Sequence, residues 1–142
     1  MNSVQFLLKN RLIFVIEDNP GNLAVLSMYL EQEGAKVKVE RYGINTVQAI
    51  LKAMPVDLIV TDLMLPKGLS GFDVYDQIRQ VPELAHIPVV AVSAADPDSA
   101  MLKARQKGFA GFISKPVTRQ IAKQLAEVLS GKTVWQGDSG LI

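Results

Sequence analysis

Five side chains that could take part in catalysis or metal binding lie at the ends of short apolar runs in this sequence. They are Glu17, Asp18, Asp62, Ser93 and Lys115. Glu17 and Asp18 stand side by side, where like charges repel and lose hydration. A divalent cation among the carboxylates would offset that repulsion, and oxygen ligands with retained waters describe a Mg²⁺ site.

The same residue types suit phosphoryl transfer. An aspartate can carry a covalent phosphoryl group, so Asp62 could attack phosphorus. Mg²⁺ and the Lys115 ammonium would offset charge on the transferring oxygens, and the Ser93 hydroxyl could donate a hydrogen bond to one of them. The set therefore predicts a phosphoryl-transfer site, provided that the fold brings these side chains together.

Apolar runs alternate five times with segments of helical period along the chain. These are the elements that must position the five side chains. The second run, "KVKVER", alternates charged and apolar residues, which is typical of an edge strand; the others are continuously apolar and indicate strands buried on both faces. Asn19, the Ser70/Asp73 pair and Asp96-Pro97 are helix-start signals. The predicted strands are Leu12–Ile16, Val37–Val39, Leu58–Val60, Val89–Val92 and Phe112–Ile113.

This (βα)₅ pattern predicts an α/β fold, an open, doubly wound five-stranded parallel sheet of strand order 2-1-3-4-5, flavodoxin-like. Crossovers between parallel strands are right-handed, and a closed barrel would need eight units. Ligands of such sheets bind outside the carboxyl ends of the strands. In this order the four strands that carry the chemical side chains are neighbours, so we expect one shared cleft.

Composition limits the function classes. The chain has 142 residues, 49% of them apolar, a net charge of +1 and no cysteine. A net charge this small does not indicate a surface that binds nucleic acid. The absence of cysteine excludes thiolate catalysis and suits a reducing cytoplasm. No apolar run reaches the roughly 18 residues of a membrane span. We expect a cytoplasmic protein that binds neither nucleic acid nor membrane, with an N-terminal extension (1–10), one domain (11–130) and a C-terminal tail (131–142).

Four motifs, "VIED", "VTDLMLP", "VVAVSA" and "GFISKP", together resemble the receiver (response-regulator) domain of two-component signalling over Leu12 to Leu129. The resemblance implies that Asp62 accepts a phosphoryl group from a histidine kinase or a phosphotransfer protein. It also implies that Lys115 contacts this group. Mg²⁺ would be held by Glu17, Asp18, Asp62 and the backbone carbonyl of Met64.

The resemblance further implies a switch formed by Ser93 and Phe112. Phosphorylation would alter the face built by the fourth helix, the fifth strand and the fifth helix, which a downstream protein target reads. A homodimer through that face is a further expectation. Ser93 stands where Thr is commoner and Phe112 where Tyr is frequent, so Phe112 has no hydroxyl to hydrate and should favour the inward position. A cis bond is expected at Lys115–Pro116. On this interpretation the protein is a signalling module and not an enzyme.

Two alternatives use similar sheets: an aspartate-dependent phosphatase and a flavin-binding protein. Such a phosphatase requires an acidic residue two positions after its nucleophile. If Asp62 is the nucleophile, that position is 64, which is Met. A flavin site requires a loop rich in hydroxyl side chains and glycine after the first strand. In this sequence that loop is "EDNPGN", which contains no hydroxyl side chain and one glycine. Both features favour the signalling interpretation.

Overall fold

The computed structural model describes residues 5–136, so residues 1–4 and 137–142 of the predicted extension and tail lie outside the described part. Strands and helices alternate along the chain, with one 3₁₀ turn at Pro66–Gly68. The elements are β1 (Leu12–Ile16), α1 (Pro20–Gln32), β2 (Lys36–Glu40), α2 (Thr46–Ala53), β3 (Leu58–Thr61), α3 (Gly71–Arg79), β4 (Val89–Ser93), α4 (Pro97–Lys107), β5 (Gly111–Ser114), α5 (Gln120–Leu129) and β6 (Val134–Trp135).

All strand pairs of the sheet are parallel, and their order is β2-β1-β3-β4-β5-β6. The predicted order of the first five strands is confirmed, including β2 at the edge. The sixth strand was not predicted; it adds two residues beside β5. Within the described residues, no helix is long and apolar enough to span a membrane.

Helices cover both faces of the sheet, because successive residues of a strand point to opposite sides. In β1, Phe14 and Ile16 join the core under α2, α3 and α4, whereas Ile13 and Val15 join the core under α1 and α5. The second core also includes Leu8, which is fully buried although it precedes the first strand. A strand covered on both faces must be apolar throughout, which explains the continuous runs.

Local signals start the helices beside the cleft. Asn19 Oδ1 accepts the Asn22 N–H at 2.9 Å at the start of α1. At the start of α3, Ser70 Oγ accepts the Phe72 N–H at 2.9 Å, and the Ser70 N–H donates to Asp73 Oδ2 at 3.2 Å. Both predicted caps are therefore confirmed. Asn19 directs the chain into α1 immediately after the carboxylates at the end of β1, whereas Ser70 starts α3 after the 3₁₀ turn that follows Asp62.

Candidate functional site

The centre of the site is a buried lysine between two carboxylates. Lys115 Nζ donates to Glu17 Oε1 at 2.6 Å and to Asp62 Oδ2 at 2.7 Å. The side chains are 13%, 5% and 7% exposed, respectively, so the three charges are largely removed from water. Buried charges are tolerated only when they are paired and hydrogen-bonded, and this cluster meets that condition.

Parallel pairing brings together residues that lie far apart in the sequence. Glu17, Asp62 and Lys115 each follow the carboxyl end of a strand: β1, β3 and β5. The Asp62 N–H donates to the Ile16 carbonyl at 3.0 Å, and the Lys115 N–H donates to the Ser93 carbonyl at 3.0 Å. The backbone ladder thus extends one residue past the strands and fixes where these side chains begin.

Backbone amides hold the remaining carboxylate oxygens. Glu17 Oε2 accepts the Asn19 N–H at 3.1 Å, and Asp62 Oδ1 accepts the Met64 N–H at 3.0 Å. Each of the two carboxylates therefore has one oxygen on the Lys115 ammonium and the other on an amide two residues further along. This arrangement fixes the orientation of both groups before any ligand binds.

Electrostatics keep Lys115 charged despite its burial. Desolvation is the largest single influence and lowers the pKa of Lys115. The hydrogen bonds and negative charges of Asp62 and Glu17 together outweigh it and raise the pKa above its usual 10.5. An ammonium that stays protonated at neutral pH can offset charge on an incoming anion.

The other predicted residues surround this cluster. Ser93 is fully buried at the end of β4, and its Oγ accepts the Ala95 N–H at 3.2 Å, which leaves the hydroxyl proton available for donation. Phe112 is also fully buried, so its ring occupies the inward position. Asp18 is partly exposed, and its carbonyl accepts Arg41 Nη2 at 3.2 Å. Met64 exposes 54% of its surface.

The donor set of the site suits Mg²⁺ chemically, because it consists of carboxylate and carbonyl oxygens. In the described part of the chain, however, no three acidic, His or Cys side chains are grouped closely enough to hold a metal. In the cluster itself, the Lys115 ammonium lies between Glu17 and Asp62. Lys115 thus offsets part of the carboxylate charge for which the sequence analysis expected a divalent cation.

One positioning residue was missed by the sequence analysis. A Cβ on Gly71 would overlap the carbonyl oxygen of Asp62, so only glycine lets the start of α3 approach the phosphoacceptor candidate this closely. The Gly71 N–H also donates to the Leu63 carbonyl at 3.0 Å. The signal was a glycine one residue after a capping serine. The predicted cis bond at Lys115–Pro116 is confirmed, and Met54–Pro55 is a second cis bond.

Comparisons with known proteins show which family of domains this chain is similar to. The family model described as the response regulator receiver domain matches residues 13–127. The polar-differentiation response regulator DivK of Brucella anthropi is 32% identical over 106 residues, which cover 75% of this chain and 85% of DivK. The peroxide stress-activated histidine kinase mak1 of Schizosaccharomyces pombe is 32% identical over 124 residues. That match covers 84% of this chain but only 7% of the kinase.

Solved structures extend the likeness to the fold. The receiver domain of a sensor histidine kinase from Pseudomonas aeruginosa is 25% identical with a TM-score of 0.74, and the match covers 87% of this chain and 99% of that one. Its description includes a magnesium ion coordinated in the active-site cleft. A response regulator from Desulfuromonas acetoxidans is 26% identical with a TM-score of 0.75, covering 84% of this chain and 97% of its own.

Proposed function

This chain belongs to the family of response regulator receiver domains, and from that premise we propose that it is a signalling module whose phosphoacceptor is Asp62. One observation carries the proposal: Asp62 is a buried carboxylate at the central carboxyl edge of the sheet, held by the Lys115 ammonium at 2.7 Å. A carboxylate oriented in this way is prepared to act as a nucleophile and to have its product stabilised by the neighbouring cation.

The proposed reaction transfers a phosphoryl group to a carboxylate oxygen of Asp62. A new O–P bond forms, and the bond from phosphorus to the donor breaks, with its electron pair leaving on the donor. The donor is the phosphohistidine of a histidine kinase or a phosphotransfer protein, whose imidazole carries a proton on its other ring nitrogen and therefore leaves as the neutral ring. Lys115 then contacts the transferred oxygens, and the Met64 N–H continues to orient the carboxyl group.

Glu17, Asp18, Asp62 and the backbone carbonyl of Met64 are the residues that would hold Mg²⁺. A bound divalent cation would supply charge neutralisation for the incoming phosphoryl group. Lys115 already neutralises Glu17 and Asp62, so binding requires it to yield part of its contact with one of them. Asp18, whose carboxylate is partly exposed, is best placed to bind the cation without breaking an existing pair.

We expect Asp18→Ala to weaken Mg²⁺ binding at least about tenfold, or about 1.4 kcal/mol. Without Mg²⁺, the variant should unfold at a slightly higher temperature than the wild type, because removing one of the crowded carboxylates relieves repulsion. Isothermal titration calorimetry and thermal melts in chelator-treated buffer measure the two effects. Unchanged Mg²⁺ affinity would remove Asp18 from the ligand set, and a metal-free melt with no gain would show that Lys115 already relieves the crowding.

The proposed switch connects Asp62 to the face formed by α4, β5 and α5. A phosphoryl group adds acceptor oxygens, and Ser93 can donate to one of them if the loop between β4 and α4 moves inward. Tyr75 Oη donates to the Lys107 carbonyl at 2.8 Å and ties the carboxyl end of α4 to α3. Movement of α4 should therefore be largest at its amino end. Because Phe112 is already buried, we propose a leaky switch with a partly active resting state.

Ser93→Ala should still be phosphorylated but should respond less on α4 and α5. One hydrogen bond to a charged acceptor contributes ~1.5–3 kcal/mol, enough for a ten- to hundredfold shift between two states. Amide chemical shifts with and without phosphoryl group measure the response. Ser114→Ala is a matched control, because Ser114 pairs with Ser93 across the strands and its buried Oγ has no hydrogen-bond partner among residues 5–136. Full-sized shift changes in Ser93→Ala would contradict the switch and leave the phosphoacceptor assignment intact.

A protein donor has an apolar entrance to the site. The cleft beside Glu17 and Lys115 is bordered by Val25 on α1 and by Pro116 and Val117 before α5. Val25 exposes 40% of its surface, so apolar contact is available around the charged centre. This supports a kinase or phosphotransfer domain as donor and a downstream protein as reader. A cytoplasmic location, which suits the cysteine-free composition, belongs to the same proposal.

Acetyl phosphate tests the proposal directly. Incubation of the full chain with this donor and Mg²⁺ should add one phosphoryl group, with acetate as the leaving group. Intact mass spectrometry detects the addition, and borohydride reduction followed by peptide mapping locates an acyl phosphate. A group on a residue other than Asp62, or no group at all, would overturn the assignment.

A further inference from the structure

The last strand of the described chain, β6, is attached to the face formed by α4, β5 and α5. The Val134 N–H donates to the Ala110 carbonyl at 3.1 Å, and the Gln136 N–H donates to the Phe112 carbonyl at 2.8 Å. Gln124 Nε2 on α5 donates to Gln136 Oε1 at 3.1 Å. These contacts close the outer edge of β5, and they include the backbone of Phe112 itself.

Trp135 anchors the same segment on the α4 side. Its ring packs against the core cluster that contains Phe112, and the Arg105 guanidinium carbon lies 4.6 Å from the ring centroid. Segment 134–136 therefore contacts α4 through Trp135, β5 through its backbone and α5 through Gln136. A protein that reads this face, or a second copy that pairs through it, meets this segment before it meets β5.

The β5 sequence is fitted to this neighbour. A Cβ on Gly111 would lie 2.5 Å from the Val134 carbonyl oxygen, closer than real contacts allow, so glycine is what permits β6 to approach. A glycine inside a strand weakens it unless another backbone comes close, and here one does. The edge of β5 is therefore shaped to accept a neighbouring strand.

This edge of β5 is next to the proposed switch residue, Phe112. Phe112 and Trp135 are partners in the parallel register, so both side chains lie on the same side of the sheet. Phe112 is fully buried. If its ring turned away from the core toward the outer edge, it would enter the space that Trp135 covers. Docking of the segment and burial of Phe112 are consequently two linked equilibria.

We propose that segment 134–136 is a built-in ligand of the face formed by α4, β5 and α5 that holds Phe112 inward and controls access to the β5 edge. The effect on phosphorylation rests on the proposed function; the docking itself does not. Coupling between two equilibria is reciprocal, so a phosphoryl group on Asp62 that favours buried Phe112 tightens the segment by the same factor. The segment then reports the state of Asp62 to the outer edge of the sheet.

Hydrogen exchange on the full chain without phosphodonor tests the docking. In the wild type the Val134 and Gln136 amides should be protected. In Trp135→Ala they should exchange at least tenfold faster, while amides in the centre of β1 keep their rates. Trp135→Phe is the control, because it keeps an aromatic ring over Phe112 and should exchange less than threefold faster. Equal protection in Trp135→Ala and the wild type would overturn the proposal that Trp135 anchors the segment.

Acetyl phosphate and Mg²⁺ test the coupling. Exchange of the Val134 and Gln136 amides should slow at least fivefold on phosphorylation of the wild type, and in Trp135→Ala it should change less than twofold. Phosphorylation at Asp62 with no change in these amides would overturn the coupling and leave the proposed function standing. No phosphorylation, together with faster exchange in Trp135→Ala, would overturn the proposed function and leave the docking standing.

Discussion

The Asp62→Asn variant should remain folded and take up no phosphoryl group from acetyl phosphate and Mg²⁺. Asparagine has the size of aspartate, but its amide lacks the negatively charged oxygen that attacks phosphorus. The variant keeps one oxygen, which can accept from Lys115, and Lys115 keeps its 2.6 Å contact with Glu17. Loss of labelling would therefore report the nucleophile rather than collapse of the site, and a circular dichroism melt verifies the fold.

Asp57→Asn is the matched control for this experiment. Asp57 immediately precedes the amino end of β3, whereas Asp62 follows the carboxyl end of the same strand. The Oδ2 atom of Asp57 accepts the Leu12 N–H at 2.8 Å. The same chemical change there should leave labelling at the level of the wild type. Full labelling of Asp62→Asn would show that phosphate enters elsewhere, and labelling lost in both variants would show that the measurement follows stability.

The strands, and the meeting of charged side chains at their carboxyl ends, were predictable from the sequence because both follow from the apolar pattern of the strands. A strand buried on both faces must be continuously apolar, as in β1, and a parallel sheet brings the ends of its strands to one edge. Glu17, Asp62 and Lys115 could therefore be assigned to one cleft although 98 residues separate Glu17 from Lys115.

The pairing inside the cleft was not predictable in the same way. The sequence analysis expected a metal ion among the carboxylates and did not predict that the Lys115 ammonium also contacts two of them directly. Which cation lies closest depends on side-chain geometry over distances of about an ångström, and residue spacing carries no such information. The partly exposed Asp18 and the buried Glu17 are adjacent in sequence, yet of these two only Glu17 pairs with Lys115.

The sixth strand was missed for a related reason. Val134 and Trp135 form a run of two residues, shorter than any period can identify. What makes them a strand is tertiary: the carbonyls of Ala110 and Phe112 accept the amides of Val134 and Gln136, and Gly111 leaves room for the approach. Short edge strands of this kind depend on their neighbour more than on their own sequence.

Lys115→Met should destabilise the protein by about 3–5 kcal/mol, because removing one partner of a buried ion pair leaves uncompensated charge. Methionine preserves most of the side-chain volume, and Glu17 and Asp62 would then face each other at 5% and 7% exposure without the ammonium. Urea denaturation measures the loss. The pKa of Lys115 is raised above 10.5, so its stabilising contribution should be complete at neutral pH and decline only as the pH rises past that value.

Lys107→Met is the control, because Lys107 also contacts a carboxylate, Asp76 at 2.8 Å, but on the surface, where Asp76 is 53% exposed. An exposed pair contributes at most about 1 kcal/mol, so this variant should lose little. Mg²⁺ should restore more stability to Lys115→Met than it adds to the wild type, since a divalent cation can replace the missing charge between the carboxylates. Equal losses in the two lysine variants, or no additional gain from Mg²⁺, would mean that Lys115 is not the countercharge that makes the buried carboxylates of this site tolerable.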